Sequence, residues 1–522
     1  MKDCARDLVY RMMGDDASAE AVADICQRVV DRIDAGDVCV PIEDRREIDL
    51  LKSAKGVVSV LPDDAAPFVL SGSLLYTRRN WRYELNVIER LKALSKGDSD
   101  APSVEIPNEE DFNHLSDEQR VAVVDMNTSR FSILTGGPGT GKTYTIARAV
   151  KLFMRTKPDL RLALAAPTGK AANRMTESLS GIVKDGEKAV TIHRLLGSNQ
   201  DFVTFKHGKG NPLAIDWLIV DEASMIDLPL MSKLLDALPE ECRLTLVGDE
   251  HQLASVDRGR VFGDLCHLPW VKTSRLSVSK RFKQGGEIAR LADAVNGGDA
   301  SGALSCLAAN AEKARYQRLD GLDAFNPGSW GDFRPLVEDG FKGFATSTKP
   351  EDALEHLNDF RVLCALRSGA YGADRINDYI LKALAGSAAH PSCPVPLMIT
   401  KNDRSLGVAN GDVGVLMPDK PHELFLPVED GSCRMVRVEL LDSTEVAFAT
   451  TIHKSQGSEF NDVAIVLPPE GESPLLTREI LYTGITRTRK TVHVYAGDAS
   501  IRKCCEKTVE RVSGLCSAEK EV

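Results

Sequence analysis

The sequence predicts an α/β protein built on two mostly parallel sheets, and three observations carry that prediction. Short apolar runs at 131–135, 160–166, 217–220 and 244–247 alternate with stretches of helical periodicity. That is the pattern of strands buried on both faces and joined by crossover helices. A glycine-rich loop follows the first run and opens a helical stretch. A second set of apolar runs then appears at 361–365, 463–467 and 491–495, giving a second sheet of the same kind.

In chain order, residues 1–107 read as a small helical unit and its linker. Val22, Ile25, Val29 and Ile33 recur at helical spacing, as do Trp81, Leu85, Ile88 and Leu91. The polar, breaker-rich stretch from Lys96 to Pro102 is the linker. Residues 108–300 hold the first sheet, and 301–393 with 448–522 hold the second. Between the halves of the second lies 394–447, with Asn410-Gly411-Asp412-Val413-Gly414, Pro421, Pro427, Asp430-Gly431 and an alternating run at 435–440. Turn residues flanking alternating runs predict a small β-rich insertion. Residues 310–357 show no legible pattern.

Composition sets the outer bounds. A chain of 522 residues, 43% hydrophobic and 27% charged, has room for three or four packed domains and is neither a disordered tail nor a stapled peptide. No apolar run reaches membrane-spanning length, and Asp15, Asp16 and Glu20 interrupt any leader-like core, so the expected location is the cytoplasm without a membrane partner. The 12 cysteines form no CxxC pair, which predicts reduced and mostly buried thiols. A net charge of −11 excludes a protein coated in positive charge, but it leaves room for nucleic acid in a local basic groove.

The chemistry is concentrated at three strand ends. Gly136-Gly137-Pro138-Gly139-Thr140-Gly141-Lys142-Thr143 satisfies GxxxxGK[ST] between a predicted strand and a predicted helix. Glycines let backbone amides turn toward phosphates, and the helix N-terminus adds partial positive charge. Lys142 then reaches the β- and γ-phosphates and the Thr143 hydroxyl is a Mg²⁺ ligand. Asp221 and Glu222 end another strand. Alone, such a pair reads as a solvated strand end; downstream of a phosphate loop, Asp221 is placed to hold Mg²⁺ and Glu222 to polarise an attacking water. Gln252, after a further strand, is placed to report on the γ-phosphate.

From 115 to 490 the chain resembles the superfamily 1 helicases, motif after motif. The segments are Leu115-Ser116-Asp117-Glu118-Gln119; 165–172 with Thr168 and Lys170; Asp221-Glu222-Ala223-Ser224; 248–252; Lys280-Arg281-Phe282; 451–460; and 482–489. Within them it is similar to the RecD family, the α subunits of exodeoxyribonuclease V. That likeness rests on DEASMIDL at 221–228, QLASV at 252–256, Asn402-Asp403 before Leu406-Gly407, AGDVCVP at 35–41, and Leu75-Tyr76 ahead of Trp81. Asp257-Arg258-Gly259-Arg260 departs from the small residues more usual there.

The resemblance implies two RecA-like P-loop NTPase domains, an SH3-like insertion at 394–447, and ATP with Mg²⁺ held between the lobes. It implies that Gln119 reads adenine and that Arg281 and Arg487, facing the P-loop side, stabilise the transferring phosphoryl group. Arg489 is as well explained by a surface ion pair. Candidate DNA contacts are Thr168, Lys170, His193, Arg194, Thr451 and His453, with a strand-separating hairpin at 200–211. The function implied is a 5′→3′ ATP-dependent DNA helicase without a nuclease site of its own. It would act on single-stranded DNA and duplex ends beside RecB-like and RecC-like subunits in double-strand-break repair. A stand-alone relative of the same fold, or an ATP-binding regulatory subunit that does not step, are the other readings.

Overall fold

The computed structural model describes residues 4–60, 65–96, 105–107, 109–181, 188–198, 204–255, 258–282, 285–385, 391–403, 405–428 and 431–516. Most of the linker at 97–102, part of the hairpin at 200–211, and Asp257 lie outside the described residues.

The first sheet has six strands in the order Lys272–Leu276, Phe131–Gly136, Arg243–Gly248, Trp217–Val220, Leu162–Ala166, Val190–Thr191. Every neighbouring pair is parallel. Successive side chains of a strand point to opposite faces, and both faces here are covered. Ile133, Leu218, Val220, Leu244 and Leu246 enter one core, while Leu134, Trp217, Ile219 and Val247 enter the other. That is why these strands read as unbroken apolar runs.

The second sheet is built the same way, in the order Ala314–Arg318, Thr488–Ala496, Phe460–Val466, Phe360–Cys364, Ala449–Thr451, again all parallel. Val362, Cys364, Ala464 and Val466 face one core; Leu363, Val463, Ile465, Val492 and Val494 face the other. Phe282 and the helix Glu287–Asn296 belong to this second core. The physical join between the lobes therefore lies just after Lys272–Leu276 and ahead of residue 300.

The segment 310–357 supplies the edge strand Ala314–Arg318 and the short helices Phe333–Gly340, Lys342–Ala345 and Pro350–His356. These pack Trp330, Phe333, Phe341 and Phe344 fully inside the second lobe. The insertion is a five-stranded antiparallel sheet, Cys433–Arg437, Lys420–Pro427, Val413–Met417, Val395–Ile399, Thr444–Val446. All 12 cysteines are free thiols. Among the described residues no helix is long and apolar enough to cross a membrane.

The N-terminal unit carries the expected helices, Ala19–Asp34 and Arg78–Ser95 among them. It also holds a four-stranded sheet, Cys39–Pro41, Leu74–Thr77, Phe68–Ser71, Val58–Ser59, that the sequence reading did not contain. Helix Arg78–Ser95 docks on the first lobe. Asn86 donates to the Ser232 carbonyl and hydroxyl, and Arg90 donates to the carbonyls of Leu235 and Leu238 at the end of helix Leu228–Asp236. Of the expected stripe, Ile88 and Leu91 are buried and Trp81 and Leu85 only half-buried, and Asn80, Glu84 and Val87 complete the buried face.

Glu84 is 4% exposed, and burial pushes its carboxyl from 4.5 up to about 7. The folded state then holds a proton that the unfolded chain has lost, so stability falls as pH rises from 4.5 to about 7. Glu84→Gln is expected to leave thermal stability at pH 4 unchanged, where parent Glu84 is protonated in both states. At pH 8 it should raise the melting temperature, the difference being on the order of 3 kcal/mol. Scanning calorimetry at the two pH values decides this; parallel profiles for parent and variant would count against it.

Candidate active site between the two lobes

The phosphate loop runs from strand Phe131–Gly136 into helix Lys142–Thr156. Gly139 and Gly141 adopt φ of +76° and +87°, which side-chain-bearing residues rarely take. Space also demands glycine: a Cβ at Gly139 would strike the Cβ of Arg281, and one at Gly141 would lie 2.6 Å from the Gln119 amide nitrogen. Lys142 Nζ donates to the carbonyls of Gly136 (2.6 Å) and Gly137 (3.1 Å), and the Thr140 hydroxyl donates to the Gly137 carbonyl (2.9 Å).

Gln119 stands behind this loop. It is 1% exposed, closes a capping box with Ser116, and donates to the Thr140 carbonyl at 3.2 Å. Both ends of its amide are satisfied by the protein, so it braces the loop and does not line the cleft.

A cavity of about 250 Å³ separates the lobes. Its walls bring together Pro138, Gly139, Gly141, Lys142, Thr143, Asp221, Glu222, Gln252, Arg281 and Arg487, residues spread over more than 300 positions of sequence. Asp221 and Glu222 leave strand Trp217–Val220, and Glu222 sits at φ +52°, one of only two side-chain-bearing residues with positive φ among those described. Backbone strain of this kind is held in place by its surroundings; the Glu222 backbone amide donates to the Asp221 carboxylate at 2.8 Å. Burial, with the adjacent Glu222 carboxylate, raises the pKa of Asp221, and Lys142 opposes the shift.

The opposite wall is cationic. Arg487, 2% exposed, donates through Nη2 to Gln252 Oε1 at 2.8 Å across the cleft. Gln252 in turn donates to Asp249 at 3.0 Å, and the Tyr482 hydroxyl donates to the same carboxylate at 3.2 Å. The next residue is gripped as well: the Leu253 amide donates to the Thr483 hydroxyl at 3.0 Å, and its carbonyl accepts from Gln456 at 3.0 Å.

Arg281 lines the cleft next to the phosphate loop: the Lys280 amide donates to the Gly139 carbonyl at 2.7 Å and the Ser279 hydroxyl to the Pro138 carbonyl at 2.9 Å. It belongs to the join between lobes. Its partner is Glu459, at 2.6 Å, which also pairs with Arg174 and, at 3.3 Å, with Arg489. Burial works to raise the Glu459 carboxyl, but Arg174 and Arg281 hold it down at about 2. Sequence reasoning gave Glu459 and Arg174 no role. The available signal was an acid two residues after a glycine, Gly457, that sits against Thr168 of the other lobe.

The DNA-contact candidates fall near the same end of the sheets. Ala166 pairs with Thr191, so Thr168 and His193 lie just past neighbouring strand ends. The Thr168 hydroxyl caps helix Gly169–Leu179. Lys170 lines a second cavity of about 210 Å³ with Arg361, Thr450 and Lys454; burial, then Arg361, lowers its pKa to about 8. The Thr451 hydroxyl accepts from the Lys454 amide at 3.3 Å. Burial lowers the pKa of His193, whose ring lies 5.9 Å from Phe205. Burial, then the nearby Arg511, lowers that of His453. Of the hairpin at 200–211, single bridges pair Ser198 with Phe205 and Gly208 with Asn211.

Comparison with known proteins adds to this geometry. A family model described as an AAA domain matches residues 119–258, and one described as a UvrD-like helicase C-terminal domain matches residues 446–495. The chain is similar to the RecBCD enzyme subunit RecD of Mycolicibacterium smegmatis, 36% identical over 471 residues that cover 85% of this chain and 82% of that one. The RecBCD enzyme subunit RecD of Haemophilus influenzae is 32% identical over 524 residues, covering 86% and 81%. The ATP-dependent RecD2 DNA helicase of Deinococcus radiodurans is 32% identical over 389 residues, covering 72% of this chain and 48% of that one.

The Glu459 cluster has a measurable signature. Its folded carboxyl lies below the ordinary 4.5, so its contribution is complete above that pH and is lost as pH falls toward 2. Glu459→Ala leaves Arg281 buried and unpaired, and is expected to cost about 3 kcal/mol of stability at pH 7. In urea unfolding the gap between parent and variant should shrink from pH 4.5 downward; a gap that does not change with pH would refute the assignment.

Proposed function

The chain belongs to the RecD family and is an ATP-dependent DNA helicase, and from that premise we propose that it is the 5′→3′ motor of a RecBCD-type complex acting on duplex ends in break repair. RecB-like and RecC-like chains are its partners, and phosphodiester cleavage is theirs. One observation supports the motor reading above the rest: Arg487 of the second lobe meets Gln252 of the first in the cavity that also holds Lys142, Asp221 and Glu222.

In this reading the left-handed glycines at 139 and 141 open the loop amides toward a triphosphate, and Lys142 leaves its carbonyl partners for the β- and γ-phosphates. The hard oxygen donors Thr143 and Asp221 fit Mg²⁺, which is held by one or two protein oxygens together with phosphate; when bound, it offsets charge between those phosphates. Glu222 orients and deprotonates water. Arg487 and Arg281 stabilise charge on the phosphoryl group as it transfers. Gln252 senses the γ-phosphate and passes the change to Arg487 and, through Leu253, to Thr483 and Gln456. Thr168, Lys170, His193, Thr451 and His453 lie along the single-strand track.

Lys142→Gln is expected to abolish DNA-stimulated ATP hydrolysis and unwinding while leaving assembly with partner chains intact. Arg487→Ala should lower kcat by on the order of 10³-fold. Steady-state ATPase assays with and without single-stranded DNA test both. Capture of the Lys142→Gln chain from native cells, with identification of co-purifying chains, tests the complex. A folded chain whose hydrolysis ignores DNA, alone and with partners, would overturn the motor reading.

A further inference from the structure

Residues 507–515 leave the second lobe and do not stay on it. The Arg478 amide donates to the Lys507 carbonyl at 2.7 Å, and the Val509 amide donates to the Glu479 carboxylate at 3.1 and 3.2 Å. Both contacts are on helix Arg478–Ile485, which also carries Tyr482 and Thr483. From there the segment crosses to the N-terminal unit. The Val512 amide donates to Asp37 Oδ1 at 2.8 Å, and the Val38 amide donates to the Val512 carbonyl at 2.9 Å. It ends on the first lobe, where the Ser513 hydroxyl donates to Asp264 at 2.6 Å and Leu515 is buried in that lobe's core. Nine residues thus touch all three bodies.

Arg511 occupies the crossing point. Its Nη1 donates to the Gly259 carbonyl at 2.9 Å. Its guanidinium lies flat on Gly36, where a Cβ would come within 3.1 Å of Nε and 3.2 Å of Cζ, and Gly36 holds φ +103°. The Gly36 carbonyl accepts from the Gly259 amide at 3.0 Å, so both polar groups of the Gly259 backbone are held by this clasp. A Cβ on Gly259 would press on Val38 at 3.2 Å. The adjoining Arg260 donates to the Glu250 carbonyl at 2.7 Å, two residues from Gln252.

We propose that Arg511 is a positioning residue for ATP hydrolysis. Held by the Gly36–Val38 turn, it fixes Gly259 and, through Arg260 and the Glu250 carbonyl, the seat of Gln252. It thereby ties hydrolysis to whatever engages the N-terminal unit. The inference rests on the reading of Gln252 as the γ-phosphate sensor. Arg511 touches no reacting group; its effect is on the placement of one that does.

The test uses the full-length chain with single-stranded DNA, with kcat and KM for ATP expressed per nucleotide-binding site from titration with a fluorescent ATP analogue. Arg511→Met keeps the packed stem and removes the donor. It is expected to lower kcat about 3–10-fold with KM within about twofold of the parent, the split that marks loss of an interaction used in turnover. Arg511→Lys restores one donor and should recover most of the loss. Counting per site separates turnover from folding yield. Parental kcat and KM in Arg511→Met overturns the proposal, and so does a lysine variant no better than methionine. A parent without DNA-stimulated turnover sinks the sensor reading and this proposal together; an active parent with an unaffected Arg511→Met variant sinks this proposal alone.

Discussion

The structure turns on a stretch of five residues, 249–253, that is covalently part of the first lobe and bonded to the second. Asp249 accepts from Tyr482, Gln252 accepts from Arg487, and Leu253 uses both its amide and its carbonyl on second-lobe side chains. The Leu253 side chain is itself in the second lobe's core. The lobes therefore cannot separate without moving Gln252, which lines the cleft. The strength of the contacts suits that role. A hydrogen bond contributes about 1 kcal/mol net, so a few of them are within reach of what nucleotide binding supplies, whereas the apolar cores beneath each sheet are not.

Charge is arranged to match. Acids occupy the strand end at Asp221 and Glu222, and guanidinium groups converge on the cleft from all sides: Arg174 from the first lobe, Arg281 from the join and Arg487 from the second lobe. Such a gathering of buried cations is costly without a counter-ion. Glu459 is that counter-ion, shared by Arg174 and Arg281 from different parts of the chain. One Arg281 nitrogen, Nη1, remains buried without a hydrogen-bond partner. Glu459 thus holds Arg174 and Arg281 together at the cleft.

Much of this was legible in the sequence, for definite reasons. Strands covered on both faces show as uninterrupted apolar runs, so the two sheets could be read, and the phosphate loop declares itself through glycines that only a tight turn requires. The N-terminal sheet was hidden because its strands, two to four residues long, are too short to show a period of two. Residues 310–357 were hidden because their helices span only four to eight residues and are held by aromatic packing from distant segments. Arg281 lines the cleft, and its seat there depends on backbone contacts to Gly139 and Pro138 that no spacing announces. Glu459 and the 507–515 segment were hidden for a related reason: Arg174 and Arg281, and Asp37 and Asp264, lie far from them in sequence, and no local spacing pairs them.

The Arg258-Gly259-Arg260 departure gains its explanation from the same contacts. Small side chains at all three positions would leave the Gln252 loop to close on the cleft alone. Here Arg258 reaches Asn80 of the N-terminal unit at 3.5 Å, Arg260 reaches the Glu250 carbonyl, and the glycine between them makes room for Val38 while its carbonyl accepts from Arg511. The N-terminal unit is meanwhile fastened to helix Leu228–Asp236 by Asn86 and Arg90. The 507–515 segment runs from the second lobe onto both that unit and the first lobe. A protein seated on the N-terminal unit thus meets the motor where its lobes are already tied together, about as far into the hydrolysis machinery as a surface can lie without touching nucleotide.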